Sequence, residues 1–138
     1  MNVLDTNVID AALRSSRGAS HLLLRKALLG ELLVMSSPSL FLEYEDVTSR
    51  PSHLAKYSLS RYQVGEVLDG LASVIKPVHI HYLWRPHLQD PKDDLVLECA
   101  VNGMAKRIIT FNLKDFKGAD KFGIEIIRPG DFFKRYLQ

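Results

Sequence analysis

Short runs of apolar residues recur along the chain, separated by longer segments in which apolar positions follow a helical period. Short, continuously apolar runs are typical of strands that are covered on both faces of a parallel sheet. The sequence therefore predicts five short strands: Asn2–Leu4, Leu32–Ser36, Val74–Ile80, Arg107–Phe111 and Ile124–Ile127.

The segments between these runs place apolar side chains three and four residues apart, which predicts amphipathic helices. The predicted helices are Val8–Leu13, Gly18–Leu29, Ser39–Thr48, His53–Tyr57, Ser60–Leu71, Lys92–Asn102 and Phe132–Tyr136. Alternation of strands and helices predicts a three-layer α/β/α fold with a central, mostly parallel sheet. No Gly/Ser-rich linker interrupts the pattern, so we expect a single domain over residues 1–138.

The composition narrows the class of protein only slightly. A net charge of +2 neither requires nor excludes a nucleic-acid partner, because a basic groove can coexist with an acidic pocket. The single cysteine, Cys99, cannot form an internal disulfide, which fits a reducing compartment. Neither a cationic apolar leader nor a run long enough to span a bilayer is visible, so we expect a cytoplasmic protein without a membrane partner.

Four carboxylates occupy strand ends or helix faces where isolated acids are unusual. Asp5 directly follows the first predicted strand, and Asp115 follows the fourth. Glu43 lies on the apolar stripe of its helix, and Asp94 begins the buried face of another. Each has a simpler explanation: a helix cap or turn for the aspartates, and a salt bridge to an arginine for the glutamate.

The four positions are more informative together, because strand ends and helix starts of a parallel α/β sheet meet at one rim. Ionised carboxylates about 5 Å apart repel by roughly 3 kcal/mol per pair at an effective dielectric near 20. Such a cluster requires protons or a divalent cation, and an all-oxygen set suits Mg²⁺ or Mn²⁺. Zinc is disfavoured, because His79 and His81 have no companion ligands at zinc spacing. A metal held in this way favours phosphodiester hydrolysis.

Four motifs in order carry a resemblance to a known family. They are LDTN at the start, SPSLFLEY in the middle, DPKDDLVLECA later and IITFNLKDF near the end. Together they resemble the PIN-domain family over essentially the full chain, and most closely its prokaryotic VapC-like group, the toxin components of toxin–antitoxin pairs. The resemblance implies an endonuclease that cleaves single-stranded RNA with Mg²⁺ or Mn²⁺. It also implies a cognate antitoxin protein and a homodimer as partners.

Carried over position by position, the resemblance implies that Asp5, Glu43 and Asp94 are catalytic, metal-binding acids. Asp115 matches a more variable fourth acid, and Thr6 and Asn112 match polar neighbours of the site. Many relatives have an aspartate where this chain has Asn112, which leaves open whether Asn112 or Asp115 completes the site.

Guidance of the RNA backbone falls to surface cations, for which the candidates are Arg14, Arg17, Arg25, Lys26 and Arg50.

Two other functions compete with this interpretation. A HAD-like phosphatase would use Asp5 as its nucleophile, but that class needs a second aspartate where Asn7 stands. A PIN-like scaffold that binds RNA or a protein without catalysis is the other, and an RNA cleavage assay discriminates between it and the nuclease.

Overall fold

A computed structural model describes residues 1–82 and 91–137 of the chain. Its strands are β1 (Asn2–Leu4), β2 (Met35–Ser36), β3 (Lys76–Pro77), β4 (Arg107–Ile109) and β5 (Glu125–Ile127). The β1, β4 and β5 strands form a parallel sheet in the order β1-β4-β5, while β2 and β3 pair in parallel beside it. A parallel bridge between Asn2 and Val34 joins the two groups. The first strand of the chain therefore lies at the centre of the arrangement.

Helices surround these strands. They are α1 (Thr6–Arg14), α2 (Ala19–Leu28), α3 (Pro38–Ser49), α4 (Pro51–Leu54), α5 (Arg61–Val74), α6 (Pro91–Asn102) and α7 (Pro129–Phe132). Two 3₁₀ turns, Leu113–Phe116 and Ala119–Phe122, follow β4, and a π-helical turn, Phe133–Leu137, ends the described chain. A parallel sheet flanked by helices confirms the predicted α/β/α fold class. No helix of the described residues is long and apolar enough to span a membrane.

Local chemistry explains several helix boundaries. The Ser37 hydroxyl accepts a hydrogen bond from the Leu40 N–H at 3.2 Å, which caps the start of α3. Ser60 and Gln63 form a reciprocal capping box at the start of α5. Gly30 follows α2 with a φ of 74°, a left-handed conformation that glycine adopts without strain and that ends the helix.

The third predicted strand, Val74–Ile80, is largely wrong. The α5 helix continues through Val74, and the Ile75 N–H closes its last turn on the Leu71 carbonyl at 2.9 Å. Only Lys76–Pro77 remains as strand, and Pro77 lacks the N–H that a longer ladder requires. β-branched residues at the end of an amphipathic helix were thus mistaken for the start of a strand.

Other predicted boundaries differ less. The second strand is shorter than predicted because it begins at Met35, and the fourth ends at Ile109. The short helix predicted at His53–Tyr57 occupies Pro51–Leu54, beginning at a proline suited to a first helical turn. The closing helix starts earlier, at Pro129, for the same reason.

Close packing at the end of α6 requires Gly103. A Cβ atom on Gly103 would overlap the Met35 Sδ atom and lie 2.9 Å from the Val78 Cγ2 atom. The left-handed backbone conformation belongs to the next residue, Met104, with a φ of 53°. The α6 helix ends at Asn102, and glycine at position 103 allows the close approach of α6 to β2 and Val78.

Candidate functional site

Asp5 is a buried carboxylate where β1 meets α1. Its side chain and backbone are only 7% exposed, and its N–H donates to the Ile109 carbonyl of β4 at 2.9 Å. The Thr110 hydroxyl donates to Asp5 Oδ2 at 2.7 Å, and the backbone N–H groups of Thr6 and Asn7 face the same carboxylate and favour its ionised form. Three of these residues, Asp5, Ile109 and Thr110, come from the ends of two adjacent parallel strands, where ligands bind in such sheets, and Thr6 and Asn7 begin α1.

Competing effects set the pKa of Asp5. Burial raises this pKa above its ordinary value, because a desolvated carboxylate is harder to ionise. Hydrogen bonds from Thr110, Thr6 and Asn7 lower the pKa without cancelling the effect of burial, and the negative charge of Asp115 raises it further. The structure therefore brings Asp115, although exposed, within electrostatic range of Asp5.

Glu43 is held near the same strand end by its neighbour in α3. The fully buried Tyr44 hydroxyl donates to the carbonyl of Leu4, the residue before Asp5. The Glu43 side chain is 15% exposed, and its Oε1 atom lies 3.8 Å from Lys92 Nζ in the first turn of α6. The partner of Glu43 is therefore a lysine, whereas the sequence argument had considered a salt bridge to an arginine.

The α6 helix carries three buried acids, two more than expected from the sequence. Asp94 is 1% exposed, as predicted for the residue that begins the buried face. Asp93, in the first turn of the helix, is 9% exposed, and Glu98 is 1% exposed. Glu98 lies four residues after Asp94, hence on the same helical face, so its spacing was the information that could have identified it.

The acids of the described residues do not form a compact cluster. Within residues 1–82 and 91–137, no group of three or more His, Cys, Asp or Glu side chains is arranged to hold a metal ion. Asp5 instead accepts a hydrogen bond from Thr110, and Glu43 contacts Lys92. The expectation that the carboxylates converge closely around one point is not met by this arrangement.

The donor chemistry nevertheless fits a divalent cation. The candidate ligands are carboxylate oxygens, the ligands that Mg²⁺ and Mn²⁺ prefer. The raised pKa of Asp5 marks a carboxylate whose desolvated charge a cation would stabilise. A lysine contact of 3.8 Å is long for a hydrogen bond, so the Lys92 ammonium can be displaced from Glu43 at small cost.

Polar residues around Asp5 divide into those predicted and one that was missed. The backbone N–H of Thr6 faces the Asp5 carboxylate, and the backbone N–H of exposed Asn112 donates to the Thr110 hydroxyl at 3.0 Å. Thr110, fully buried, links these two groups, and sequence analysis overlooked it because a threonine at a strand end is common. The sequence could not show which β strand would lie beside Asp5.

A second polar cluster was also missed, and it connects α1 to α4. The Asp10 carboxylate contacts His53 Nδ1 at 2.9 Å and accepts a hydrogen bond from the Tyr57 hydroxyl at 2.5 Å. Burial raises the pKa of Asp10, but the hydrogen bonds from Tyr57 and His53 outweigh it, so this pKa lies below its ordinary value. The cluster connects α4 to α1, the helix that directly follows Asp5.

The surface cations fall into two groups. Arg14, Lys26 and Arg50 each contact an acid, at 3.9, 3.4 and 2.5 Å respectively. Arg17 and Arg25 have no ion pair within the described part of the chain, and with Arg14 they line a cavity of about 550 Å³ between α1, α2 and α5. The four predicted acids do not line this cavity.

The histidine-containing segment is only partly within the structure. His79 and His81 are both exposed, and neither belongs to a metal-holding group among residues 1–82 and 91–137. Trp84, His87 and Asp90 lie outside the described residues.

Comparison with known proteins agrees with the fold. No curated protein matches the chain. A family model, described as PIN domain, matches residues 2–114, a range that contains Asp5, Glu43 and Asp94. This range also includes β1 to β4 and ends within the turn that follows Thr110. Because the match covers well over half of its length, the chain belongs to the PIN domain family, whose fold is of the nuclease type.

Proposed function

We propose that this protein is a metal-dependent endoribonuclease that cleaves single-stranded RNA. The observation that carries the proposal is the buried Asp5 carboxylate, held by Thr110 at the carboxyl edge of the sheet of a PIN domain. A carboxylate desolvated to this degree needs a compensating charge to remain ionised, and a metal-bound phosphodiester site supplies one.

In this proposal Asp5, Glu43 and Asp94 are the principal metal ligands and catalytic acids, and Asp115 is a fourth acid. When bound, Mg²⁺ or Mn²⁺ would activate water and stabilise the negative charge that develops at phosphorus. Thr6 and Asn112 are supporting polar residues, the first through its N–H to Asp5 and the second through Thr110.

Each side chain has a separate task that follows from its contacts. The Thr110 hydroxyl fixes the orientation of the Asp5 carboxylate and favours its ionised form. Tyr44 ties the helix that carries Glu43 to the strand end that carries Asp5. Lys92 reduces the repulsion that Glu43 exerts on other acids in the absence of a cation.

The broader biological role extends this proposal. We propose that the protein is cytoplasmic and is the toxin of a toxin–antitoxin pair. It would form a homodimer in which each subunit is one PIN-like domain over residues 1–138. A small gene next to its own would encode the antitoxin. Expression of the protein alone should arrest growth, and co-expression of the neighbouring product should restore it.

A cleavage assay tests the nuclease itself. Purified protein is incubated with labelled single-stranded RNAs in Mg²⁺, in Mn²⁺ and in chelator, together with Asp5→Asn, Glu43→Gln and Asp94→Asn. We expect cleavage in metal only, and a loss of about 100-fold or more in each variant. Asp69→Asn, which changes an exposed acid of α5, is the matched control and should retain activity.

Two results would contradict the proposal. Equal cleavage by the native protein and Asp5→Asn would assign the activity to another site or to a contaminant. If the native protein cleaves no RNA either with or without metal, the result would favour a scaffold that binds RNA or protein without hydrolysing it.

A further inference from the structure

An exposed aromatic side chain stands directly beside the Asp5 site. Phe111 is 42% exposed, whereas the other five phenylalanines of the chain are buried or half-buried. Phenylalanine has no polar group to gain from this exposure. In the part of the chain that the structure describes, no ring–ring or cation–ring contact involves Phe111.

The backbone of Phe111 is fixed to the groups that hold Asp5. Its N–H donates to the Asn7 side-chain oxygen at 3.5 Å, and the Asn7 backbone N–H faces the Asp5 carboxylate. On one side is Thr110, whose hydroxyl donates to Asp5 Oδ2 at 2.7 Å. On the other is Asn112, whose N–H donates to Thr110 at 3.0 Å.

Because neighbouring Cα atoms are about 3.8 Å apart, the Phe111 ring is attached within one residue of the side chain that orients Asp5. A contact made by this ring therefore requires little ordering of the backbone, and its position relative to the carboxylate is set in advance.

The turn that follows Phe111 adds positive charge. Lys114 and Lys117 are both exposed, and neither has an ion pair within residues 1–82 and 91–137. Aromatic side chains that stack on bases, next to cations that contact the backbone, form the usual surface for single-stranded nucleic acid.

We propose that Phe111 stacks on an unpaired base of the RNA next to the phosphodiester held at Asp5. This inference rests on the proposed nuclease function and specifies how that site recognises a single strand. A paired base is stacked between its neighbours and cannot offer its face to the ring, so the contact selects unpaired RNA. Lys114 and Lys117 contact phosphates, which adds affinity without sequence preference.

Binding is measured first, by fluorescence anisotropy with a labelled single-stranded RNA of about ten nucleotides, a length within the usual range of such sites. All proteins carry Asp5→Asn, which keeps the RNA intact. Adding Phe111→Ala should weaken binding by about 5- to 150-fold, the equivalent of 1–3 kcal/mol for a lost base–aromatic stack. Phe111→Trp should retain binding, whereas Phe111→Leu, which keeps apolar bulk without an aromatic face, should weaken it like alanine.

A series of RNAs with one abasic nucleotide at successive positions separates stacking from a structural effect. At one position, loss of the base should weaken binding to the protein with Phe111. The affinity should then equal that of the Phe111→Ala protein for intact RNA. At that position the Phe111→Ala protein should not distinguish the two RNAs. Tyr62→Ala is the matched control, because Tyr62 on α5 is 77% exposed, and it should leave binding unchanged.

The outcomes for Phe111 and for the nuclease are distinguishable. Cleavage of RNA by the native protein would support the nuclease. If Phe111→Ala or Phe111→Leu then binds RNA as tightly as the protein with Phe111, the stacking proposal alone is wrong. Equal losses at every abasic position would also overturn it. If the native protein neither binds nor cleaves any single-stranded RNA, both proposals fail.

Discussion

Replacing Thr110 by valine tests the physical basis of the Asp5 site without changing any charge. The substitution removes the hydroxyl that donates to Asp5 Oδ2 at 2.7 Å and keeps the β-branched shape of a fully buried side chain. A buried hydrogen bond to a charged group contributes about 1.5–3 kcal/mol. For a chain of this length we expect the melting temperature to fall by about 6–12 °C at neutral pH in chelator.

The loss should depend on pH in a defined direction. Burial places the pKa of Asp5 above its unfolded value, so the folded state binds the proton more tightly. The stability due to Asp5 is therefore greatest below the unfolded pKa, and it falls as the pH rises through the folded pKa. Removing the Thr110 hydroxyl raises the folded pKa further, because that hydrogen bond favours the ionised form. Relative to the native protein, the valine variant should consequently lose most stability at pH values above the folded pKa of Asp5.

Urea unfolding followed by circular dichroism measures the effect, at neutral pH and near pH 4, which approximates an ordinary aspartate pKa. At the lower pH the loss should shrink to about 0.5–1.5 kcal/mol, the range for a neutral hydrogen bond. Thr110→Ser keeps the hydroxyl and is the control. A penalty that is the same at both pH values, or that persists unchanged in the Asp5→Asn background, would refute the reasoning.

Three further predictions concern the surroundings of the site. Tyr44→Phe deprives the Leu4 carbonyl of a buried donor and should lower the free energy of unfolding by about 1–3 kcal/mol in denaturant titrations. Gly103→Ala should destabilise by about 1–3 kcal/mol through overpacking, whereas Gly65→Ala in α5, where a Cβ meets nothing within 4 Å, should not destabilise in the same titration. Mg²⁺ should stabilise the chelator-treated protein by about 2.7 kcal/mol at 100 times its Kd, seen as a higher melting temperature, and this gain should be absent in Asp5→Asn.

The fold was predictable because its local rules agree with its overall arrangement. The first strand ends at Asp5, helix caps at Ser37 and Ser60 mark the starts of α3 and α5, and Gly30 ends α2. Where local preferences conflict, prediction failed. The run that begins at Val74 contains apolar, β-branched residues, yet Val74 is the last residue of α5 and Ile75 caps that helix.

Individual acids were predictable from their positions, whereas their partners were not. Asp5, Glu43 and Asp94 each stand where a charge is unexpected in a strand end or an apolar face. Thr110 pairs with Asp5 across 105 positions of sequence, and Lys92 approaches Glu43 from another helix. Such pairings are decided by tertiary packing, which no periodicity within one element encodes.

Placing the earliest residues of the chain at the centre of the sheet has a consequence for synthesis. A ribosome releases β1 long before β4, yet Asp5 acquires its partner only when Thr110 emerges. Contacts this distant in sequence form slowly and late. The nascent polypeptide therefore lacks an assembled Asp5 site until Thr110 has emerged, and a message cut between the codons of these two residues would produce a chain unable to orient the Asp5 carboxylate.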